Sequence, residues 1–173
     1  ATLLMVASNG GHMELVKLLL KRGASVDLKD EHDLTALMCA ADCGHASIVE
    51  VLLEHKAAAD LPNNHDHGVS ALMAAASRGH DLAVGMLLKY KASVDFQAED
   101  DVSALMVASG CGHFAVVGML LEHKASVEFQ TAAHGSTALM QAAEIGHAPI
   151  VRKLLKAGAQ LGVRDADGNT ALR

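Results

Sequence analysis

Apolar residues in this chain fall into short bursts of helical period that return at a fixed interval. One burst reads Thr35-Ala36-Leu37-Met38-Cys39-Ala40-Ala41-Asp42-Cys43-Gly44-His45, where Leu37, Ala40 and Ala41 lie at helical spacing and form one stripe. A second stripe follows, with Ile48, Val49, Leu52 and Leu53 at i, i+1, i+4 and i+5. The same outline starts at Thr2, Ser70, Ser103 and Thr137, and opens again at Thr170-Ala171-Leu172. The steps between these starts are 33, 35, 33, 34 and 33 residues. A period in this range marks a stacked repeat architecture.

Each unit predicts two helices. Thr35 is a natural N-cap, because its hydroxyl can accept an orphan N–H of the first turn. The first helix runs from Ala36 to Cys43, and Gly44 offers a left-handed stop. The second runs from about Ala46 to His55 and returns antiparallel to the first. Core faces follow in the other copies: Leu15, Val16, Leu19 and Leu20; Val84, Leu87 and Leu88; Val116, Val117, Leu120 and Leu121; Ile150, Val151, Leu154 and Leu155. Helices of two to three turns fall below the roughly 12–15 residues at which isolated helices become marginal in water. Stability must therefore come from neighbours, with small Ala side chains permitting close approach. Polar segments such as Ser25 to Asp30 and Ser93 to Gln97 read as extended arms with a turn. Gly68, Gly135 and Gly168 sit in that turn, where Asp33 and Asp101 stand in other copies, and Asp tolerates positive φ better than most residues. The units are approximately 1–29, 30–64, 65–97, 98–131 and 132–164, with a partial sixth at 165–173.

Composition narrows the function. Hydrophobic residues make up 51% of the 173 residues but aromatics only 2%, so the interior is Leu, Val, Ala and Met in thin helical layers. The net charge of −6 argues against a nucleic-acid surface, which needs clustered Lys and Arg. No stretch approaches the roughly 20 apolar residues of a membrane span, so no membrane insertion is expected. Three cysteines form no disulfide framework, and residue 1 already lies inside a repeat; the expected setting is reducing and cytoplasmic. No polar-faced capping repeat is recognisable at either end, and the segment is expected to be a window of a longer protein.

The Thr-Ala-Leu-Met-x-Ala-Ala opening, the Gly-His junction, the Leu-Leu pair and the Gly-Ala close at Gly23-Ala24 and Gly158-Ala159 resemble ankyrin repeats across essentially the whole chain. The resemblance implies an all-α solenoid of antiparallel helix pairs joined by β-hairpin-like loops set roughly at right angles. Two departures carry expectations. The family's Thr-Pro-Leu-His opening lacks its Pro and His here, and Met5, Met38, Met73, Met106 and Met140 hold the His position; this predicts looser polar stitching between units. Lys56, Lys91 and Lys124 replace the closing Gly, at a cost of about 1 kcal/mol each if they remain left-handed. Asn63-Asn64 and one residue near Thr131 lengthen two loops and are expected to bulge them without breaking the stack.

Catalytic and metal chemistry find little support. His12, His45, His80, His113 and His147 recur at every junction, a pattern of scaffold rather than active site. Their expected role is to start the second helix and fill hydrogen bonds there. His65-Asp66-His67, with His32 and His55, and the Cys39/Cys43 pair come from different parts of different units, whereas structural zinc wants four converging ligands. Gly110-Cys111-Gly112 lacks the frame of a phosphate-binding loop. No catalytic residue, metal or cofactor is expected.

What remains is a binding surface. The family likeness implies a non-enzymatic protein–protein interaction module that uses loop tips and the ends of the first helices on the concave side. On this chain those positions are Glu31, His32, Leu34, Asp42, Cys43, Asp66, His67, Val69, Ser77, Arg78, Glu99, Asp100, Val102, Gly110, Cys111, His134, Ser136, Glu144 and Ile145. Acidic clusters at Asp30, Glu31 and Asp33 and at Asp95, Glu99, Asp100 and Asp101 would favour a partner with a basic face. Alternatively they keep the tips soluble and pair with Lys56 and Lys91. Two other roles remain open: a structural brace in a large assembly, suggested by the apolar line Leu34, Val69 and Val102, or a regulatory segment of a larger enzyme or channel.

Overall fold

Each unit begins with a cap that its own sequence supplies. Thr2, Thr35, Ser70, Ser103 and Thr137 accept the backbone N–H of Met5, Met38, Met73, Met106 and Met140 at 3.2–3.4 Å. In the computed structural model, which describes residues 1–172, these caps open α1 (Leu3–Asn9), α3 (Ala36–Asp42), α5 (Ala71–Arg78), α7 (Ala104–Gly110) and α9 (Ala138–Ile145). Left-handed glycines from Gly11 to Gly146 turn the chain. It then enters α2 (Met13–Lys21), α4 (Ala46–Glu54), α6 (Asp81–Lys89), α8 (Phe114–Glu122) and α10 (Ala148–Lys156). The odd-numbered helices form one row and the even-numbered a second, each helix packing on its partner and on its neighbours in the row. This is an all-α solenoid.

Packing follows residue size. Ala36, Ala40, Ala71, Ala75, Ala104 and Ala108 are buried between inner helices, while Ile48, Leu52, Leu87, Val116 and Leu120 fill the space behind them. At every step the inner helices contact each other more extensively than the outer ones do, though only narrowly so between the second and third units. Such a difference curves the row, with the inner helices on its concave side. Leu15 departs from the expected core face: it is 42% exposed, where Ile48 at the same place in the next unit is 2% exposed. The preceding unit is what covers this position internally, and repeat 1 has none in the described residues.

Polar stitching is not loose, and here the structure corrects the sequence reading. The junction histidines make no cap bond to their own helices. Instead Nε2–H of His45, His80, His113 and His147 donates to the carbonyls of Asn9, Asp42, Ser77 and Gly110, at 3.0, 2.9, 2.9 and 3.2 Å. A carbonyl oxygen only accepts, so Nε2 carries the proton in each case. Each ring lies against the glycine that ends the preceding unit's first helix; a Cβ on Gly44 would stand 2.6 Å from His80 Nδ1. A second ladder runs along the arms, where Asp27, Asp60, Asp95 and Glu128 accept the N–H of Ala58, Ser93, Ser126 and Gln160 at 2.8–3.1 Å. A third joins the turns: N–H of Glu99, Ala132 and Ala166 donates to the carbonyls of His67, Asp100 and His134 at 2.7, 2.8 and 2.9 Å. Three polar ladders thus hold the units together.

The longer loops become internal braces. Asn63 is buried, its backbone pairs with Val69, and its side chain accepts His65 N–H at 3.1 Å. Thr131 Oγ1, also buried, accepts Ser136 N–H at 3.0 Å. Lys56, Lys91 and Lys124 are left-handed as expected, at φ 66, 69 and 65. The start of the sixth unit, Thr170 to Leu172, is not helical, and Arg173 lies outside the described residues.

One buried defect yields a prediction. Ser109 is 0% exposed and its hydroxyl has no hydrogen-bond partner, as is true of Ser8 at the same place in the first unit, whereas Ala41 and Ala76 hold that place in the second and third. An unsatisfied buried hydroxyl costs roughly 1–3 kcal/mol. Ser109→Ala is therefore expected to raise the urea midpoint, corresponding to about 1 kcal/mol; an unchanged or lowered midpoint contradicts the assignment.

Candidate functional site

The turns stand over the inner helices, and two depressions open between them. The first, about 240 Å³, is lined by Leu34, Met38, Cys39, Asp42, Asp66, Val69, Ala74 and Arg78, with Asn9 and Asn63 at its margins. It continues across α5 toward α7 as a further hollow of about 410 Å³ that adds Met73, Ser77 and Val107. The second depression, about 520 Å³, is lined by Asp100, Val102, Thr131, Ala133, His134, Ser136, Gln141, Glu144, Asp165 and Asp167. The fold thus gathers eleven of the positions expected from sequence into two neighbouring hollows: Leu34, Asp42, Asp66, Val69, Ser77 and Arg78 in one, and Asp100, Val102, His134, Ser136 and Glu144 in the other.

The remaining positions have other surroundings. Glu31 and His32 lie at an exposed tip, 3.9 Å apart, with the His32 ring edge-on to His65. His67 Nδ1 meets Glu99 Oε2 at 3.0 Å, tying two successive turns together. Cys43 Sγ donates to Asn9 Oδ1 at 3.3 Å, and the Gly110 carbonyl is taken by His147. Cys111 and Ile145 are exposed. Sequence reasoning did not single out Ala74, Val107 and Gln141, and weighed Cys39 only as a metal ligand; the four line the hollows from one recurring position. The signal was present: the residue after each Thr/Ser-Ala-Leu-Met is the one that changes from copy to copy.

Several carboxylates expected at the rim prove to be structural. Asp30 Oδ1 accepts the N–H of His32 and Leu34 at 2.9 and 3.1 Å. Burial works against its charge, but these bonds, together with the nearby amino terminus and His32, hold the carboxyl below its ordinary value. Asp165 repeats the arrangement in the last turn: burial raises it, while bonds from Asn169, Asp167 and Gly168 bring it below the ordinary value. Asp33 is 3.5 Å from Lys29 Nζ and accepts Asn64 Nδ2–H at 3.0 Å, and Asp95 serves the arm ladder. Lys56 and Lys91 are not their partners: among the described residues, the lysines in ion pairs are Lys17, Lys29 and Lys89.

The Cys39 thiol in the first hollow is not an activated nucleophile. Burial pushes the Cys39 thiol up to about 11, with the charge of Asp30 adding to the effect, so it stays protonated at neutral pH. All three cysteines are free thiols, and no group of three or more His, Cys, Asp or Glu side chains is arranged to hold a metal ion among the described residues. No described helix is long and apolar enough to cross a membrane.

Family models for ankyrin repeats in three copies match residues 1–65 and 59–131, and a model for many copies matches residues 129–173. The chain belongs to the ankyrin repeat family. No curated protein matches the chain. Ankyrin repeats serve in general as protein–protein interaction modules, and the hollows of this ankyrin array lie between its turns and its inner helices.

Proposed function

We propose that this ankyrin array is a non-enzymatic module that binds a protein through its inner face, and that the bound surface is basic. The observation that carries this reading is the segregation of charge. The inner helices and turns hold Asp30, Glu31, Asp33, Asp42, Asp66, Glu99, Asp100, Asp101, Glu144, Asp165 and Asp167; against these stand Arg78 on the inner helices and Lys29 and Arg164 in the turns. The outer helices are balanced, with Glu14, Glu50, Glu54, Asp81 and Glu122 against Lys17, Lys21, Lys89, Arg152, Lys153 and Lys156. A negative inner face steers a positive partner and repels nucleic acid. The three hydrogen-bond ladders hold the turns in place before docking, so little conformational entropy is lost on binding.

A brace reading gains less support. Leu34, Val69 and Val102 are half-buried and already pack on the array's own core, which leaves no broad apolar face at the tips.

Glu99, Asp100 and Asp101 form the densest point of the rim. Changing all three to Lys is expected to weaken the captured partner roughly tenfold or more at low salt, with a smaller effect at 0.5 M salt. Lysine is compatible with the left-handed backbone at Asp100 and Asp101, since Lys56 and Lys91 already adopt it here. Equal affinities of the two proteins at low salt would overturn the basic-partner reading.

A further inference from the structure

The two hollows differ in what they offer, and the difference deepens the proposed function, on which this inference rests. In the first, Arg78 Nε donates to Asp42 Oδ1 at 3.1 Å, which offsets one of its two carboxylates. Its apolar walls are Leu34, Met38, Val69 and, across α5, Met73 and Val107, with Asn9, Asn63, Ser70 and Ser77 beside them. In the second, neither Lys nor Arg lines the hollow among the described residues. Asp165 is engaged by its own turn, while Asp100, Glu144 and Asp167 make no ion pair among the described residues. One end of the groove can hold an apolar side chain and the other can hold cations.

We propose that the groove reads a single extended polypeptide segment in two places: an apolar side chain seated against Val69, Met73 and Val107, and Lys or Arg side chains received by Asp100, Glu144 and Asp167. The order of helices sets the spacing. From α5 to α9 is two steps along the inner row, and packed helices lie about 8–10 Å apart, so the two places are roughly 16–20 Å apart. An extended chain advances about 3.3–3.6 Å per residue, which puts the basic residues about five or six positions from the apolar anchor. A helical segment, at about 1.5 Å per residue, would need roughly eleven to thirteen. A uniformly basic segment would satisfy only the second place, and an acidic one neither.

The test is selection of a random 16-residue peptide library on the intact chain. It is followed by titration of the selected synthetic peptides against the wild type, Val69→Ser, and the double variant Glu144→Lys with Asp167→Lys. Thermal melts by circular dichroism confirm that the variants keep the fold. The expected result is enrichment of an apolar residue separated from a Lys/Arg pair by five or six positions. Val69→Ser should lower affinity about tenfold at every salt concentration, and the charge reversal about tenfold or more at low salt alone. Peptides that are weakened by the Glu144→Lys, Asp167→Lys variant but show no fixed spacing would overturn the two-place reading and leave the basic-partner reading intact. A spacing near twelve would replace the extended segment with a helix. Selection of no peptide would overturn the linear-segment reading, while a folded basic partner would still satisfy the proposed function. Peptides insensitive to both variants and bound on the outer helices would remove both readings together.

Discussion

Leu87→Ala is expected to lower the unfolding free energy by about 3 kcal/mol, within the 2–5 kcal/mol typical of a buried leucine cut back to alanine. Leu87 lies in α6, in the middle of the array, and is 0% exposed. Its side chain fills the space between the helices of its own unit and the neighbouring outer helices, which are too short to close over a void without moving the next unit. The loss is therefore felt beyond one repeat. Urea denaturation followed by circular dichroism should show a lower midpoint with an unchanged slope. Leu82→Ala, five residues earlier and 69% exposed, should change stability by less than about 0.5 kcal/mol. A Leu87 variant within about 1 kcal/mol of wild type would contradict the buried-layer description.

The opposite change is available at three places in the same middle units. Lys56, Lys91 and Lys124 hold φ of 65–69, a conformation in which the Cβ of an L-residue crowds the following carbonyl at about 1–2 kcal/mol. Gly23 and Gly158 take the same place in the first and fifth units at φ 82 and 101. Glycine loses more entropy on folding, by roughly 0.5–1 kcal/mol, which offsets part of the gain. Replacing the three lysines together with glycine is expected to stabilise the array by about 2 kcal/mol. Sites in different units act almost independently, so the effects should add. For a chain of this length, that corresponds to a rise of roughly 4–8 °C in the melting temperature by calorimetry. A fall in melting temperature would show that the lysine side chains stabilise their neighbours by more than the backbone costs.

Local structure was legible because each unit announces it several times over. Five Ser/Thr caps, five Gly-His junctions and the apolar stripes mark every unit, and the two helices bounded from sequence, Ala36 to Cys43 and about Ala46 to His55, end within one residue of the observed α3 and α4. The connections between units were not legible from these cues. Period alone puts His80 at the start of α6, but not its bond to the carbonyl of Asp42, 38 residues earlier. Methionine in place of the family's histidine suggested weaker links, yet the polar contacts simply lie elsewhere, on the junction histidines and on Asp27, Asp60, Asp95 and Glu128. The one signal for them was the constant offset of about one unit between the partners.

For the candidate surface, residue type alone could not separate carboxylates that face a partner from those that hold the loop. Asp30 and Asp100 look alike in the sequence; the first satisfies two backbone N–H groups and the second points into a hollow. Charge segregation became visible only when the helices were sorted into rows. Arg78, the exception on the inner helices, is tied to Asp42 of the preceding unit and so tempers the acidity at one end of the groove.

The account stands or falls on which face a partner covers. Amide hydrogen exchange of the full chain, with and without its bound protein partner, reads this directly. The expected result is slowed exchange in the turns at 30–35, 63–70, 97–103 and 131–137 and toward the C-terminal ends of α3, α5, α7 and α9, with α2, α4, α6, α8 and α10 unchanged. Protection confined to the outer helices, with the turns exchanging as before, would contradict it.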